Sequence, residues 1–397
     1  MNYFVIAVLT VPALACAYLG WRLRWAFGGV LPPWFLTWYV FWPVVALAFM
    51  SFPLTHFLSR LLGVVPPSWL LLATAALFGT LAIGVVTALM ADVLGLIARG
   101  LPFLQGARAY AGQHRHYFGL LLLGCVALQV AWGVYNANVP RETYYSPVIH
   151  KPLQNGARRL RIVQISDLHV SHYSSVALMR ETVARVNRLQ PDLIVITGDI
   201  IDISARPYFE QDMPRILGEL KSRYGVYAIL SNHDYYGDSP KINAEAYAGS
   251  GMRVLRDAVL YLREPGITLI GRDDTMRGAR RLPPGAVPDL SSPRAPLASL
   301  TARADPATPW ILLDHQPSAI GEAIAQKIDL QFSGHTHNGQ IFPANFIVKA
   351  LYKKPWGIFK QGDFSLIVTC GVGTWGPPLR FPSYAEIVVA DVVFQKP

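Results

Sequence analysis

The sequence predicts a membrane region of four transmembrane helices followed by a soluble α/β domain. Hydrophobic residues make up 52% of the 397 residues, and nearly all of the excess over a soluble protein lies before about residue 137. From Leu160 onward, short apolar strands alternate with segments of helical spacing. We therefore expect the membrane region over residues 1–137, a linker over 138–159 and the α/β domain over 160–397.

Four apolar stretches are long enough to cross the hydrocarbon core of a bilayer, which takes about 20 helical residues. Tryptophans and tyrosines lie at several of their ends, as is typical of interfacial anchors. An alternative interpretation of the first stretch is a cleaved signal peptide. However, no basic residue precedes this stretch and three more apolar stretches follow it. The four expected spans run near Tyr3 to Leu19, Trp34 to Phe52, Trp69 to Ile97 and Tyr117 to Tyr135.

Basic residues in the short loops predict the orientation, because lysine and arginine are enriched in cytoplasmic loops. The loops after the first and third spans carry Arg22, Arg24, Arg99, Arg108 and Arg115. The opposite side carries Arg60, Arg141 and Lys151. This modest bias places the soluble domain on the outer face of the membrane, which we expect to be the bacterial inner (plasma) membrane.

Polar side chains follow five of the predicted strands. The strands end in "SDLH", "TGD", "SNHD", "DHQP" and "SGHTHNGQ", and the carboxyl ends of parallel strands meet at one edge of a sheet. Nitrogen and oxygen donors of this kind are favoured by manganese, iron and zinc. The sequence therefore predicts a metal site at this edge. The candidate residues are Asp167, His169, Asp199, Asn232, His233, His315, His335 and His337.

The same spacing predicts two divalent metal ions and a phosphate substrate. In "DLH" and "GHTH" the two side chains are two residues apart and point the same way in an extended segment. Two cations about 3.5 to 4 Å apart activate a hydroxide and clamp a phosphoryl oxygen. The net charge of +10 suits nucleic acid, anionic lipid or a phosphorylated substrate. We expect no nucleic-acid partner, since no nucleic-acid module is recognisable.

The ordered set "DLH", "GD", "NHD", a separate histidine and "GHTH" resembles the calcineurin-like metallophosphoesterases from about Arg161 to the C-terminus. The resemblance implies a four-layer αββα sandwich with the metals at the strand ends. It also implies that His233 is the general acid or phosphate-stabilising group and that Asp234 orients it. The ligands implied for the first metal are Asp167, His169, Asp199 and His337. Those implied for the second are Asp199, Asn232, His315 and His335.

Two further segments resemble the membrane-anchored branch of this family, which is related to UDP-diacylglucosamine hydrolases. They read "GHTHNGQ" and "GVGTWGPPLRFPSYAEIVV". Ser231 departs from the glycine that usually precedes Asn-His, and we expect this small residue to be tolerated. Asn338 departs from the glycine that often follows "GHTH" in the branch.

Three flanking features have alternative interpretations. The segment "IFPANFIVKALYKKPWGIFKQG" has the composition of a membrane-interfacial segment or of an ordinary surface loop and helix. Arg380 and Arg272 are candidates for holding a substrate phosphate, or for pairing with carboxylates. Gly278 to Asp305 is expected to be a long surface insertion, either a specificity cap or a disordered segment.

The leading functional hypothesis is an integral-membrane, two-metal phosphoesterase acting on a phosphate ester of a lipid or lipid-linked substrate. One alternative is a pyrophosphatase of a nucleotide-linked lipid such as UDP-diacylglucosamine, which requires a cytoplasmic active face. The other alternative is a non-catalytic membrane scaffold. We disfavour the scaffold because His233 and Asp234 remain beside the expected ligands.

Overall fold

The computed structural model describes residues 3–237, 239–278 and 293–396. Residues 279–292, half of the expected insertion, lie outside the described residues. The chain divides into two compact units. The first comprises Met1–Tyr135, Ile341–Pro343 and Gly376–Phe381, and the second comprises Asn136–Gln340, Ala344–Trp375 and Pro382–Pro397.

The first unit is helical. Its helices are α1 (Tyr3–Phe27), α2 (Trp38–Leu62), α3 (Ser68–Arg99), α4 (Gln105–Gln113) and α5 (Arg115–Asn138), the last of which ends in the second unit. Among the described residues, three helical stretches are long and apolar enough to cross a membrane. These stretches are Trp38–Ser59, Ser68–Arg99 and Arg115–Asn138, and they overlap the second, third and fourth expected spans.

Few side chains of the helical unit are buried. A small core joins α1, α2 and α3 through Leu19, Phe41, Phe49 and Ala88. In the three candidate spans, at most 17% of the most apolar window is buried. Apolar side chains that face outward along most of a helix require an apolar solvent, and the hydrocarbon of a bilayer supplies one.

The second unit is an α/β domain. Its strands are β1 (Arg141–Tyr145), β2 (Val148–Ile149), β3 (Arg159–Ile165), β4 (Leu193–Ile196), β5 (Val226–Ile229), β6 (Arg253–Leu255), β7 (Ala258–Leu262), β8 (Ile267–Gly271), β9 (Trp310–Leu313), β10 (Leu330–Ser333), β11 (Gly357–Gln361), β12 (Phe364–Val368) and β13 (Glu386–Phe394). Its helices are α6 (Val176–Arg188), α7 (Arg206–Glu210), α8 (Met213–Gly218), α9 (Pro240–Gly249), α10 (Leu297–Thr301), α11 (Ile320–Ala325) and α12 (Ala344–Leu351).

The strands form two sheets. The first has the order β1-β13-β3-β4-β5-β6, with β2 also paired to β13, and the second has the order β11-β12-β10-β9-β8-β7. Strands β3 to β6 are parallel to one another, as are β8, β9, β10 and β12. The carboxyl ends of the central strands of each sheet therefore lie along one edge.

Three hydrophobic cores hold the layers together. The middle core contains Ile162 and Val195 of the first sheet and Phe332 and Ile367 of the second, so the two sheets pack face to face. A second core packs α6, α8 and α9 on the outer face of the first sheet. A third packs α10 and α11 on the outer face of the second sheet. The predicted α/β domain is thus confirmed, with helices outside a pair of sheets.

The segment expected to be a linker contains two strands. Strand β1 pairs in parallel with β13 from Arg141, opposite Glu386, to Tyr145, opposite Ala390. Strand β2 continues along β13 opposite Val393 and Phe394. Residues 141–149 therefore add to the edge of the first sheet, because the threonine and tyrosines of β1 suit an extended, half-buried position.

Candidate metal centre

The expected ligands all lie in loops at the carboxyl ends of central strands. Asp167 and His169 follow β3, and Asp199 follows β4. Asn232 and His233 follow β5, His315 follows β9, and His335 and His337 follow β10. The first three of these strands belong to one sheet and the last two to the other. Packing of the two sheets brings the eight side chains together.

The first ligand cluster consists of Asp167, His169, Asp199 and His337. The Nε2 atoms of His169 and His337 are 2.9 Å apart. His337 Nε2 is 3.5 Å from Asp167 Oδ1, and His169 Nε2 is 3.6 Å from Asp199 Oδ2. Asp167 Oδ2 is buried and has no hydrogen-bond partner among the described residues. Donor atoms of Asp167, His169 and His337 therefore lie together inside the protein, and Asp199 Oδ2 lies beside His169.

The second ligand cluster consists of Asp199, Asn232, His315 and His335. His315 Nε2 is 3.1 Å from Asp199 Oδ2. His335 Nδ1 is 3.2 Å from His315 Nε2 and 3.1 Å from Asn232 Oδ1. Asp199 Oδ2 thus faces both clusters, and a single carboxylate connects them.

These distances fit divalent cations. Metal bonds to carboxylate oxygen and imidazole nitrogen are about 2.0 to 2.2 Å long, so ligands of one ion lie about 3.0 to 3.5 Å apart in tetrahedral or octahedral geometry. The closest donor atoms in the two clusters are separated by 2.9 to 3.6 Å. A cation placed between such imidazole nitrogens accepts a lone pair from each. The residues present therefore suit two cation sites.

Burial and mutual charge decide the protonation of the second cluster. Burial opposes a charged His315, but the Asp199 carboxylate outweighs it and raises the pKa of His315 to about 10. Burial, followed by repulsion from His315, lowers the pKa of His335 to about 3. His335 is therefore neutral with a lone pair available. Cation binding has to displace the proton of His315, since a ligand imidazole is neutral.

Several ligands have a left-handed backbone, which is uncommon outside glycine. The φ angles are 53° at Asp167, 46° at His169, 51° at Asp199, 73° at His335 and 49° at His337. Such conformations cost of order 1–3 kcal/mol each and concentrate at functional sites. They turn each chain sharply after its strand and aim the side chain into the site.

Close packing, rather than an unusual backbone angle, explains why the chain has a glycine at Gly334. A Cβ at this position would lie 2.3 Å from Ser166 Oγ and 2.4 Å from Asp167 Oδ2. The absence of a side chain lets the loop after β10 approach the loop after β3. This approach allows the His335 backbone N–H to donate to Asp167 Oδ1 at 3.0 Å.

Asp202 is a functional candidate that the sequence did not reveal. Its Oδ1 is 2.9 Å from His233 Nδ1 and 3.4 Å from His169 Nδ1, and its backbone carbonyl accepts from His233 Nδ1 at 2.9 Å. Burial raises its pKa, but contacts with the two histidines outweigh burial and hold the pKa at about 2. An ionised carboxylate therefore lies behind both imidazoles and sets their orientation.

Asp234 does not have the position that we expected for it. Its carboxylate accepts hydrogen bonds from the Ser231 backbone and hydroxyl, from Asn243 at 3.0 Å and from Tyr247 at 2.6 Å. Burial raises its pKa to about 6 in spite of these donors. Asp202, not Asp234, lies against His233. Asp234 instead braces the turn that carries Asn232 and His233.

Ser231 has a defined role in that turn. Its hydroxyl donates to Asp234 Oδ2 at 2.9 Å and accepts from the Asp199 backbone N–H at 2.7 Å. Ser231 is fully buried. The serine therefore links the loop after β4 to the loop after β5, which explains how the chain accommodates it where the family usually has glycine.

His233 lies beside the first cluster, with a ring nitrogen within 4.8 Å of donor atoms of His169 and Asp199. Its ring centroid is 4.6 Å from that of His169. Burial lowers its pKa, but Asp202 and Asp199 outweigh burial and raise the pKa to about 9. Its Nδ1 faces Asp202, so Nε2 is the atom that is free to contact a ligand in the site.

Two aromatic side chains lie around His233. The ring centroid of Tyr236 is 4.9 Å away and that of Trp375 is 6.1 Å away. Trp375 is 60% exposed, and its backbone is held by two hydrogen bonds with the Gln340 side chain, of 2.9 and 3.0 Å. Gln340 ends the segment "GHTHNGQ", so this motif positions an aromatic rim as well as ligands.

The two arginines that are candidates for holding a substrate phosphate have different surroundings in the structure. Arg272 is buried, and its Nη1 is 2.8 Å from Glu322 and 3.3 Å from Asp314. It forms the ion pairs of the alternative interpretation, one with the buried Asp314 and one with the partly exposed Glu322. Arg380 is also fully buried, and its backbone N–H donates to the Gly133 carbonyl at 3.0 Å. Its assignment to a substrate phosphate stays a prediction.

Comparison with known proteins identifies the family. The calcineurin-like phosphoesterase profile matches residues 160–339. A transmembrane protein with metallophosphoesterase domain from Danio rerio is 29% identical over 360 residues, which cover 87% of this chain and 79% of that protein. An uncharacterized metallophosphoesterase from Campylobacter jejuni is 31% identical over 300 residues, which cover 74% and 76% of the two chains. The chain therefore belongs to the calcineurin-like metallophosphoesterases and is a metal-dependent phosphoester hydrolase with membrane helices.

Proposed function

We propose that this protein is a two-metal phosphoesterase of the bacterial inner membrane that hydrolyses a phosphate ester of a lipid or lipid-linked substrate. The observation that carries the two-metal proposal is the convergence of both ligand clusters on the shared carboxylate of Asp199. The first cation would be held by Asp167, His169, Asp199 and His337. The second would be held by Asp199, Asn232, His315 and His335. Manganese, iron and zinc suit these donors.

The cations would supply an activated water and neutralise the charge of the phosphoryl group. The protein's own residues orient the proton donor and supply the proton. Asp202 fixes the ring of His233 through Nδ1, which leaves Nε2 directed at the ligand space. His233 Nε2 gives its proton to the leaving-group oxygen as the phosphorus–oxygen bond breaks. Tyr236 and Trp375 flank the same imidazole.

The position of helix α12 favours a substrate that is held at the membrane. It follows the "GHTH" loop so closely that a Cβ on Gly339 would lie 2.2 Å from the Asn345 nitrogen. Just beyond its end, the ring of Tyr352 lies 6.0 Å from that of His335. The helix therefore lies beside the second ligand cluster.

The outer face of α12 is apolar. Phe346, Ile347 and Leu351 are 58%, 58% and 72% exposed. Lys349 lies over the Phe346 ring at 5.9 Å, and Lys353 and Lys354 follow the helix. Exposed apolar side chains among lysines are typical of a helix that rests on anionic lipid. A phosphate held on a lipid would then reach the site without leaving the membrane surface.

We further propose that α1 is a fourth membrane span and that the catalytic domain faces outward. Residues 1–137 would form the membrane region and 160–397 the hydrolase domain, with 138–159 connecting them along β13. Phosphatase and fluorescent-protein reporters fused to the C-terminus test this topology. Phosphatase activity is the expected result. Fluorescence alone would place the domain in the cytoplasm and favour the pyrophosphatase alternative.

An assay of the purified full-length protein tests the function. We expect Mn²⁺-dependent release of nitrophenol from bis-p-nitrophenyl phosphate, and loss of phosphate from an extract of membrane lipids. Asp199→Asn serves as the inactive control and Arg180→Gln, at an exposed position on α6, as the matched active control. Turnover that is independent of metal, or equal in Asp199→Asn, would contradict the catalytic proposal. Turnover of the chromogenic ester without any change in the lipids would contradict the lipid substrate alone.

A further inference from the structure

The first unit contains a groove between helices α1, α3, α4 and α5 that no catalytic role explains. Its volume is about 840 Å³. The wall is apolar at Trp25, Leu94 and Leu122, among others, and three arginines line it as well. We propose that this groove binds an anionic glycerophospholipid, with its phosphate on Arg99 and Arg108 and its acyl chains along the apolar wall.

One of the three arginines is already neutralised. Arg22 Nη2 is 2.7 Å from Asp92 Oδ1, and the Tyr18 hydroxyl donates to Asp92 Oδ2 at 2.6 Å. The Arg22 guanidinium also lies 4.7 Å from the Trp25 ring. This ion pair closes one side of the groove and leaves no charge of its own for a ligand.

The other two arginines have no acidic partner among the described residues. Arg108 Nη1 donates to the Ala98 carbonyl at 3.1 Å. In the part of the chain that the structure describes, no carboxylate forms an ion pair with Arg99 or Arg108. The lining therefore carries two positive charges in excess. Guanidinium groups bind phosphate oxygens through two parallel hydrogen bonds, so a phosphodiester is the anion that suits this pair.

The arginines lie at the level of lipid headgroups. Helix α3 has 32 residues, which corresponds to about 48 Å at 1.5 Å per residue. The hydrocarbon core is about 30 Å thick, so roughly ten residues of α3 lie beyond it. Arg99 is the last residue of α3 and Arg108 lies on the short α4. A lipid phosphate is at this depth, whereas Leu94, Phe118 and Leu122 extend toward the acyl region.

Small residues make room for the acyl chains. Gly95 and Gly112 line the groove, and a Cβ built on either meets no atom within 4 Å. Ala91, Ala98 and Ala111 line it as well. A zwitterionic lipid offers the same phosphodiester but also carries an ammonium cation, so its complex keeps two positive charges in excess. An anionic lipid neutralises one of these charges, and the charge excess therefore favours an anionic lipid over a zwitterionic one.

Native mass spectrometry of the purified full-length protein tests this site. The protein is mixed with equal amounts of phosphatidylglycerol and phosphatidylcholine, and the bound lipids are counted. We expect at least tenfold more bound phosphatidylglycerol. The double variant Arg99→Gln/Arg108→Gln removes this preference. The double variant Arg180→Gln/Arg263→Gln, which removes the same charge at exposed positions of the second unit, keeps it.

A second variant tests the groove without changing its charge. Gly95→Leu fills the space and suits a helix better than glycine does, so we expect a folded protein that binds less phosphatidylglycerol. Melting temperatures of all variants confirm folding. Equal binding of both lipids, an unchanged preference in Arg99→Gln/Arg108→Gln, or a folded protein that binds no phosphatidylglycerol would overturn the proposal.

Discussion

The two ligand clusters share Asp199 but differ in charge. The first cluster adds a second carboxylate, Asp167, whereas the second adds the neutral amide of Asn232 and the buried His315. Cation affinity in oxygen-rich sites rises with the number of anionic ligands. Burial further strengthens the attraction between a cation and carboxylates. The first site should therefore hold its cation tightly and the second should exchange it.

Removing the shared carboxylate of Asp199 should have the largest effect on cation binding and turnover. Asp199→Asn leaves the first cluster with one carboxylate and the second with none, so we expect both cations to bind weakly. Turnover of a chromogenic phosphodiester should fall to the background of uncatalysed hydrolysis. Metal analysis of the purified variant checks the cause. Two tightly bound ions in Asp199→Asn would contradict the shared position of this residue.

Single histidine variants should separate the two sites. His337→Ala should reduce binding of the tight cation, whereas His335→Ala should reduce binding of the exchangeable one. Dialysis against graded chelator, with metal analysis of each sample, measures the two affinities. Both variants should have low turnover. If both variants lost the same ion, the assignment of one histidine to each site would be wrong.

His233→Ala should reduce turnover without loss of metal. General acid catalysis contributes about 10²- to 10⁴-fold, and His233 is not among the residues assigned to either cation, although its ring lies 4.6 Å from that of His169. The loss should be smaller for a substrate with an acidic leaving group, because that group needs no proton. The ratio of kcat for nitrophenyl and alkyl esters measures this. An equal loss for both esters would exclude proton donation.

Asp202→Asn should reduce turnover moderately, and Asp234→Asn is its control. Residues that orient ligands change activity by about 10- to 100-fold, and Asp202 contacts both His169 and His233. Asp234 contacts neither imidazole, so its variant should lower the melting temperature more than the initial rate at low temperature. The reverse pattern would restore Asp234 as the orienting residue.

Ser231→Gly should have the smallest effect on turnover. It removes one hydrogen bond between the loops after β4 and β5 and one within the loop after β5, each worth about 1 kcal/mol of net stability. We expect a lower melting temperature with metal content and turnover preserved. Loss of metal in this variant would show that the serine positions Asp199.

The sequence predicted which side chains meet at the candidate metal centre, because their positions depend on a simple rule. Residues after parallel strands meet at one edge, and all eight expected side chains do so. Asp202 was not predictable, since it lies three residues beyond Asp199 in a loop and meets His233 only through the fold. Arg272 was open to two interpretations because its partner Glu322 lies 50 residues away in sequence. Strand β1 was missed because its partner β13 is near the C-terminus.

The membrane region follows a different rule. Span length and apolar composition are local properties, so three of the expected spans have counterparts among the described helices. The ion pair of Arg22 with Asp92 joins α1 to α3 across 70 residues of sequence, and only the structure reveals it.

The most direct test of the two-metal account is turnover measured against bound Mn²⁺ per chain. The metal-free protein is titrated with Mn²⁺, and bound metal and hydrolysis of bis-p-nitrophenyl phosphate are recorded on the same samples. The account predicts little turnover up to one ion per chain and a steep rise between one and two. Full turnover at one bound ion, or without any, would contradict it.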